Sequence, residues 1–169
     1  MLEINTKLII ESLIDTFLKA GKISLELRKK GLIKKIKSDN TPVTNGDLEV
    51  NEIISNKIIE LTPNLPIISE ETSDNKNMND LKNFWLIDPI DGTNDYVNNL
   101  EEFTINAGLI IEKKPAAGLI FAPAKNRMFY SYGENLAFEL KDGKSIKLNS
   151  SKNFNKNEIK FVSYSNKIK

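Results

Sequence analysis

Apolar positions in the first part of the chain recur every three or four residues. Ile9, Leu13, Phe17, Ala20, Ile23 and Leu27 share one face of a helix expected over residues 4–30, with Gly31 placed to end it. A basic, polar stretch from Lys34 to Thr41 comes next and closes at Pro42. Thr44 then has the character of an N-cap. Asp47 stands three residues on, ahead of an apolar stripe at Val50, Ile53, Ile54, Ile58 and Leu61. Pro63 stops this second helix. Leu65 to Ser69 is short and apolar, the pattern of a buried strand, with Glu70 and Glu71 at its end. Residues 72–83 are polar and rich in Asn and Asp, a surface loop or short helix.

From Phe84 onward the pattern is that of strands. Phe84 to Ile87 reads as one, brought to a sharp end by Asp88-Pro89. Phe103 to Glu112, Ala116 to Phe121, Met128 to Tyr132 and Leu136 to Leu140 are further strands separated by turn residues. Lys141-Asp142-Gly143-Lys144 has hairpin-turn chemistry, and Ile159 to Tyr164 reads as one more strand. The expected class is α+β: two N-terminal helices packed on a largely antiparallel sheet.

Composition narrows the chemistry. The chain has 169 residues, enough for one ordinary core. Its 24 basic and 23 acidic side chains leave a formal charge of +1, so no global field would hold nucleic acid or an anionic membrane. Cysteine and histidine are both absent. Disulfides, thiol catalysis, histidine general bases, Ser-His-Asp triads and the usual zinc and non-haem iron sites are therefore excluded. An enzyme built from this chain alone would use carboxylates, hydroxyls, lysines or a hard metal ion. Nothing at the start has signal-peptide character, and no apolar run approaches membrane-spanning length. The expectation is a cytoplasmic protein, with peripheral association with the inner membrane as a secondary expectation.

The segment Asp88-Pro89-Ile90-Asp91-Gly92-Thr93 then stands out. Proline holds Asp88 extended, Gly92 permits a tight turn and close approach by a ligand, and Thr93 can cap the next element. Two carboxylates, free amides and a hydroxyl in one turn suit Mg²⁺ bound to phosphate, since Mg²⁺ takes oxygen ligands and keeps phosphate and water around it. The Gly92 and Thr93 amides, at a helix start, could meet the phosphate, and Glu70 could add a ligand from a neighbouring loop. Each piece also has an ordinary explanation. Asp-Pro-x-Asp-Gly is turn composition, Asp47 is a capping-box carboxylate, and Glu70-Glu71 is a solvated strand end.

Together, however, three segments resemble a known pattern: Lys37 to Asp47, Ile68 to Glu71, and Trp85 to Thr93. In order and spacing they are similar to the inositol monophosphatase superfamily of magnesium-dependent, lithium-sensitive phosphatases. Asn94-Asp95-Tyr96-Val97, Glu102-Phe103-Thr104-Ile105-Asn106 and Gly118 to Ala124 resemble its bacterial 3′(2′),5′-bisphosphate nucleotidase branch. The resemblance implies two or three Mg²⁺ ions. Glu70, Asp88 and the Ile90 carbonyl would hold one ion, and Asp88 and Asp91 a second. Glu70, with Glu71, would serve a further activating ion. Thr93 would hydrogen-bond Asp47, and with Glu70 that pair would make up the catalytic group that orients the attacking water. Asp91, Gly92 and Thr93 would bind the phosphate of the substrate. The substrate implied is a small phosphate ester, adenosine 3′,5′-bisphosphate hydrolysed at its 3′-phosphate to AMP, which would place the chain in sulfur metabolism.

The resemblance also implies an N-terminal metal-binding domain over residues 1–158, with 159–169 opening a second domain. The family's second domain carries a Trp-Asp-x-Ala aspartate that completes a metal site, whereas Trp85 is the only tryptophan here. The expectation is therefore a truncated chain that binds magnesium weakly, turns over poorly and self-associates through exposed apolar surface. The alternatives are an inositol or sugar monophosphatase of the same superfamily and a non-catalytic metal-binding domain.

Overall fold

A computed structural model describes residues 5–36, 42–71 and 80–149. The expected strand at 159–164, the expected opening of a second domain, most of the 72–83 loop and the Lys37–Thr41 segment lie outside the described residues.

The first helix, α1 (Thr6–Lys30), starts on Asn5, whose side chain accepts from the Leu8 N–H. Its last turn is basic, which suits the negative end of a helix, and Gly31 follows with a positive φ of 98°. Its buried face is Ile10, Leu13, Phe17, Ala20, Gly21 and Ser24. Ile9, Ile23 and Leu27, expected on that face, are only half-buried. The stripe turns onto Gly21 and Ser24 because neighbours from distant parts of the chain pack there. A Cβ on Gly21 would overlap the Phe121 ring, and Ser24 offers its carbonyl to Tyr96.

The basic stretch after α1, where the hydrophobic pattern predicts no element, begins with a strand. β1 (Lys34–Ile36) pairs antiparallel with β2 (Pro42–Thr44). A ladder of three residues carries too little periodicity to register in the sequence. Helix α2 (Asn45–Leu61) comes directly after and has the expected capping box. Thr44 Oγ1 accepts from the Asp47 N–H, and Asp47 Oδ2 accepts from the Thr44 N–H at 2.8 Å. Val50, Ile54 and Ile58 are fully buried, Ile53 and Leu61 partly so. The helix is capped one residue beyond Leu61, at Thr62.

The remaining strands are β3 (Ile67–Ser69), β4 (Phe84–Asp91), β5 (Thr104–Ile111), β6 (Lys114–Ala122), β7 (Arg127–Ser131), β8 (Ala137–Lys141) and β9 (Lys144–Lys147). They form one seven-stranded sheet in chain order, with β3–β4 parallel and every later pair antiparallel. The α+β expectation holds, and so does the meander. The β8–β9 turn carries positive φ at Asp142 (50°) and Gly143 (73°), the two-residue hairpin geometry that Asp-Gly favours.

Both helices lie on one face of the sheet, α1 across β6 and α2 across β4, and pack on each other. Alternate residues of the strands fill the layer between: Trp85 and Ile87, Ile105 and Leu109, Leu119 and Phe121, Met128 and Tyr130. Trp85 is fully buried, and its Nε1 donates to Thr62 Oγ1 at 3.1 Å, tying β4 to the end of α2. The intervening residues, among them Leu86, Asp88, Asn106, Gly108, Gly118, Ile120 and Phe129, share the other face.

One strand differs from its expectation in a way that shapes the site. β4 does not stop at Asp88-Pro89 but continues to Asp91. Pro89 has no N–H for a ladder, and it falls where the pairing with β5 shifts register, between Asp88 and Asp91. The proline thus marks a bulge rather than an end.

Candidate metal and phosphate site

In a regular strand, residues three apart point to opposite faces. The bulge in β4 cancels that alternation, so Asp88 and Asp91 both line one cleft of about 640 Å³, with Ile90, Gly92 and Thr93 between and after them. The volume is that of a small-molecule site. Glu70 joins them from the turn after β3, which runs parallel to β4 in register Ser69↔Ile87. The Glu70 N–H donates to the Ile87 carbonyl at 3.1 Å, extending that pairing by one residue. A short buried bond from Ser69 Oγ to Asn51 Oδ1, 2.6 Å, fixes the same turn to α2.

The turn after β4 depends on Gly92. Its φ is +87°, and a Cβ there would sit 2.9 Å from the Glu102 carbonyl oxygen. Gly92 is the N-cap of α3 (Thr93–Val97). Tyr96, within α3, is fully buried; its hydroxyl donates to the Ser24 carbonyl at 2.7 Å and presses on Gly46 so closely that a Cβ would overlap it. Burial raises the Tyr96 hydroxyl further above its ordinary range, so it stays a neutral donor. The short helix bearing Thr93 is in this way seated on α1 and the first turn of α2.

Asp47 is buried, 1% exposed. Its Oδ2 accepts from the Thr44 N–H at 2.8 Å and from the Thr44 hydroxyl at 2.6 Å. Thr93 Oγ1 lies 3.4 Å from Asp47 Oδ1 and 3.0 Å from the Ile90 carbonyl, one proton between two acceptors. The capping box thus serves two ends: it starts α2, and it holds a carboxylate against Thr93.

Asp88 carries the electrostatic load. Its carboxyl is pushed from 3.8 up to about 7, first by burial, then by the neighbouring Glu70 and Asp91 charges, a hydrogen bond with Glu70, and Asp47. Its Oδ1 is buried with no hydrogen-bond partner. Among the described residues no three carboxylates stand close enough to enclose an ion as they are. A proton held on Asp88 relieves the repulsion from the neighbouring Glu70 and Asp91 charges. An all-oxygen donor set, an orphaned carboxylate oxygen and a strained excess of negative charge fit a hard divalent cation such as Mg²⁺.

Of the residues picked out from sequence, Glu70, Asp88, Ile90, Asp91, Gly92 and Thr93 meet in the cleft, and Asp47 reaches it through Thr93. Glu71 is half-buried, its N–H donates to Ser69 Oγ at 3.3 Å, and it is not among the residues lining the cleft. Sequence reasoning gives no role to Asn51, Ser69 or Asn106. Asn106 has two legible signals: its place in the Glu102–Asn106 segment, and a polar residue at an alternate position of an apolar strand.

The model of the family described as "Inositol monophosphatase family" matches residues 6–168. The chain belongs to the inositol monophosphatase family. Among its relatives in that family, the 3′(2′),5′-bisphosphate nucleotidase CysQ of Haemophilus influenzae is 34% identical over 136 residues, 78% of this chain and 49% of that protein. The crystal structure of CysQ from Bacteroides thetaiotaomicron superposes with a TM-score of 0.62 at 25% identity, over 83% of this chain and 51% of that one. An IMPase/NADP phosphatase solved with Mg²⁺ and phosphate shares the fold, with a TM-score of 0.66 at 23% identity over 78% of this chain and 51% of that one. The chain spans about half the length of these relatives.

Proposed function

We propose that this chain carries the metal- and phosphate-binding carboxylates of a magnesium-dependent phosphomonoesterase, acting on the 3′-phosphate of adenosine 3′,5′-bisphosphate. The observation that carries the reading is Asp88, a half-buried carboxyl with one orphaned oxygen, crowded by Glu70 and Asp91. The likeness to CysQ proteins favours the nucleotide substrate over an inositol or sugar phosphate.

Glu70, Asp88, Asp91 and the Ile90 carbonyl would hold the ions. Bound Mg²⁺ lowers the pKa of water and neutralises charge on the phosphoryl oxygens. The chain's own groups do the positioning. Asp91 and the Gly92 and Thr93 amides border the phosphate position. Asp47, held by two bonds from Thr44, is a fixed acceptor for the Thr93 hydroxyl. With the Ile90 carbonyl engaged elsewhere, that hydroxyl donates its one hydrogen bond to Asp47. Its lone pairs are then free to orient a water in line with the scissile bond.

Magnesium calorimetry on the chain, with Asp88→Asn as control, tests the site. Binding that survives that substitution unchanged removes the metal assignment, and a chain that binds no Mg²⁺ removes it too. Phosphate release by the gene product carrying this sequence tests the substrate. Preference for adenosine 3′,5′-bisphosphate supports the proposal, preference for inositol 1-phosphate or a sugar phosphate replaces it with the sibling activity, and no release from any of them leaves a non-catalytic metal-binding domain.

A further inference from the structure

On β5, Asn106 lies outside the cleft lining but reaches it through Asp91, and none of these roles uses it. Asn106 pairs with Asp88 across the β4–β5 ladder, and its Nδ2 donates to Asp91 Oδ2 at 3.2 Å. A carboxylate only accepts, so the amide has one workable orientation, NH₂ toward Asp91 and carbonyl oxygen away from it. That orientation leaves Asn106 Oδ1 buried and without a donor. Asp88 Oδ1, at the paired position of the next strand, is in the same condition. Directly paired residues hold their Cβ atoms about 4.5–5.5 Å apart, so the two orphaned acceptors belong to neighbouring side chains.

Buried acceptors without donors are costly, and Asn106 has an apolar neighbour, Ile120, on its other side. Packing alone would be better served by Leu or Val at this position. The two oxygens lack the same thing, an electropositive group. A hydrated divalent cation supplies it, with charge for the carboxylate and O–H donors for the amide oxygen.

We propose that Asn106 is a positioning residue of the magnesium site. Its NH₂ group fixes Asp91 in the orientation the cation needs, and its carbonyl oxygen, on the residue paired with Asp88, accepts from the cation's hydration shell. Being neutral, the amide does both without adding a further negative charge to a cluster that already has Asp47, Glu70, Asp88 and Asp91. The inference rests on the magnesium reading above.

The test is Mg²⁺ calorimetry on the 169-residue chain, comparing Asn106→Leu and Asn106→Ala with the parent and with Asp88→Asn. Amide NMR spectra follow the Asn106 side-chain NH₂ through the titration. Both Asn106 variants are expected to bind Mg²⁺ about tenfold more weakly. Their melting temperature in chelator should be unchanged or higher, since a buried orphan has been removed. The NH₂ resonances of the parent should move in step with Mg²⁺ saturation and stay fixed in Asp88→Asn. A merely structural asparagine would lower the melting temperature and leave Mg²⁺ affinity alone. Affinity within twofold of the parent, or NH₂ resonances that ignore Mg²⁺, overturns the proposal. Loss of binding in Asp88→Asn alone would then keep the magnesium reading intact. A parent chain that binds no Mg²⁺ overturns both. Should both variants fail to fold, the NH₂ shift in the parent decides.

Discussion

Asp88 is the residue on which burial, charge and backbone meet. Its carboxyl keeps a proton up to about pH 7 in the folded chain, against an ordinary value of 3.8. A raised folded-state pKa means the folded chain binds that proton more tightly than the unfolded one. The stabilisation is complete below the ordinary value and fades as pH rises toward 7. In chelator, the chain is therefore expected to melt higher at pH 5 than at pH 8, and Asp88→Asn should flatten that slope. A parent slope of the opposite sign, or the same slope in the variant, counts against the assignment. Mg²⁺ competes with the same proton, so its affinity should rise between pH 6 and pH 8. Thr93 gives a second expectation at this scale. Thr93→Val keeps the shape and removes the proton donor to Ile90 and Asp47. Turnover by the gene product is expected to fall by about a hundredfold, the order of loss when a group that positions the attacking water is removed. Turnover within a few-fold of the parent would take Thr93 out of the reaction.

At the scale of elements, the helices are the most legible part of the chain. Both stop signals, Gly31 and Pro63, and the Thr44–Asp47 box act locally, within one helical turn of the residues they organise. The α1 face is less legible, because the decisive neighbours are distant in sequence. Gly21 and Ser24 are buried by Phe121, Pro123 and Tyr96, which no helical period reveals. Gly21→Ala separates the two influences. Helix propensity alone predicts a gain of about 1 kcal/mol, while overlap with the Phe121 ring predicts a loss of about 1–3 kcal/mol. The loss should win, since β6 behind the ring is a central strand with little room to retreat. Chemical denaturation measures the difference, and a more stable variant would show that the contact relaxes freely. In β4 a local signal misleads instead. Proline breaks ladders, so Pro89 by itself implies a strand end, and only the β5 partner turns that break into a bulge.

For the molecule as a whole, two helices cover one face of the sheet and leave the other with Leu86 (39% exposed), Ile120 (50%) and Ile146 (57%) on it. No helix among the described residues is long and apolar enough to cross a membrane. Apolar surface gathered on one sheet face favours association. The isolated chain is expected to sediment with a mass that rises with concentration, and Ile120→Lys to reduce that rise at little cost in stability, since the side chain is already half in water. A concentration-independent monomer in the parent would remove the expectation.

The sequence by itself determined the helix boundaries, the meander, the all-oxygen chemistry and the acidic turn, because each rests on neighbours a few residues apart or on which residue types are present at all. Only the tertiary structure decided what those residues do together. The bulge puts Asp88 and Asp91 into one cleft, parallel pairing of β3 brings Glu70 beside them, and α2 sets Asp47 against Thr93. It also put Asn106 opposite Asp88. The reason is physical. The raised pKa of Asp88 exists only because groups distant along the chain, Glu70 and Asp47 among them, crowd a half-buried carboxyl, and no local pattern records that proximity.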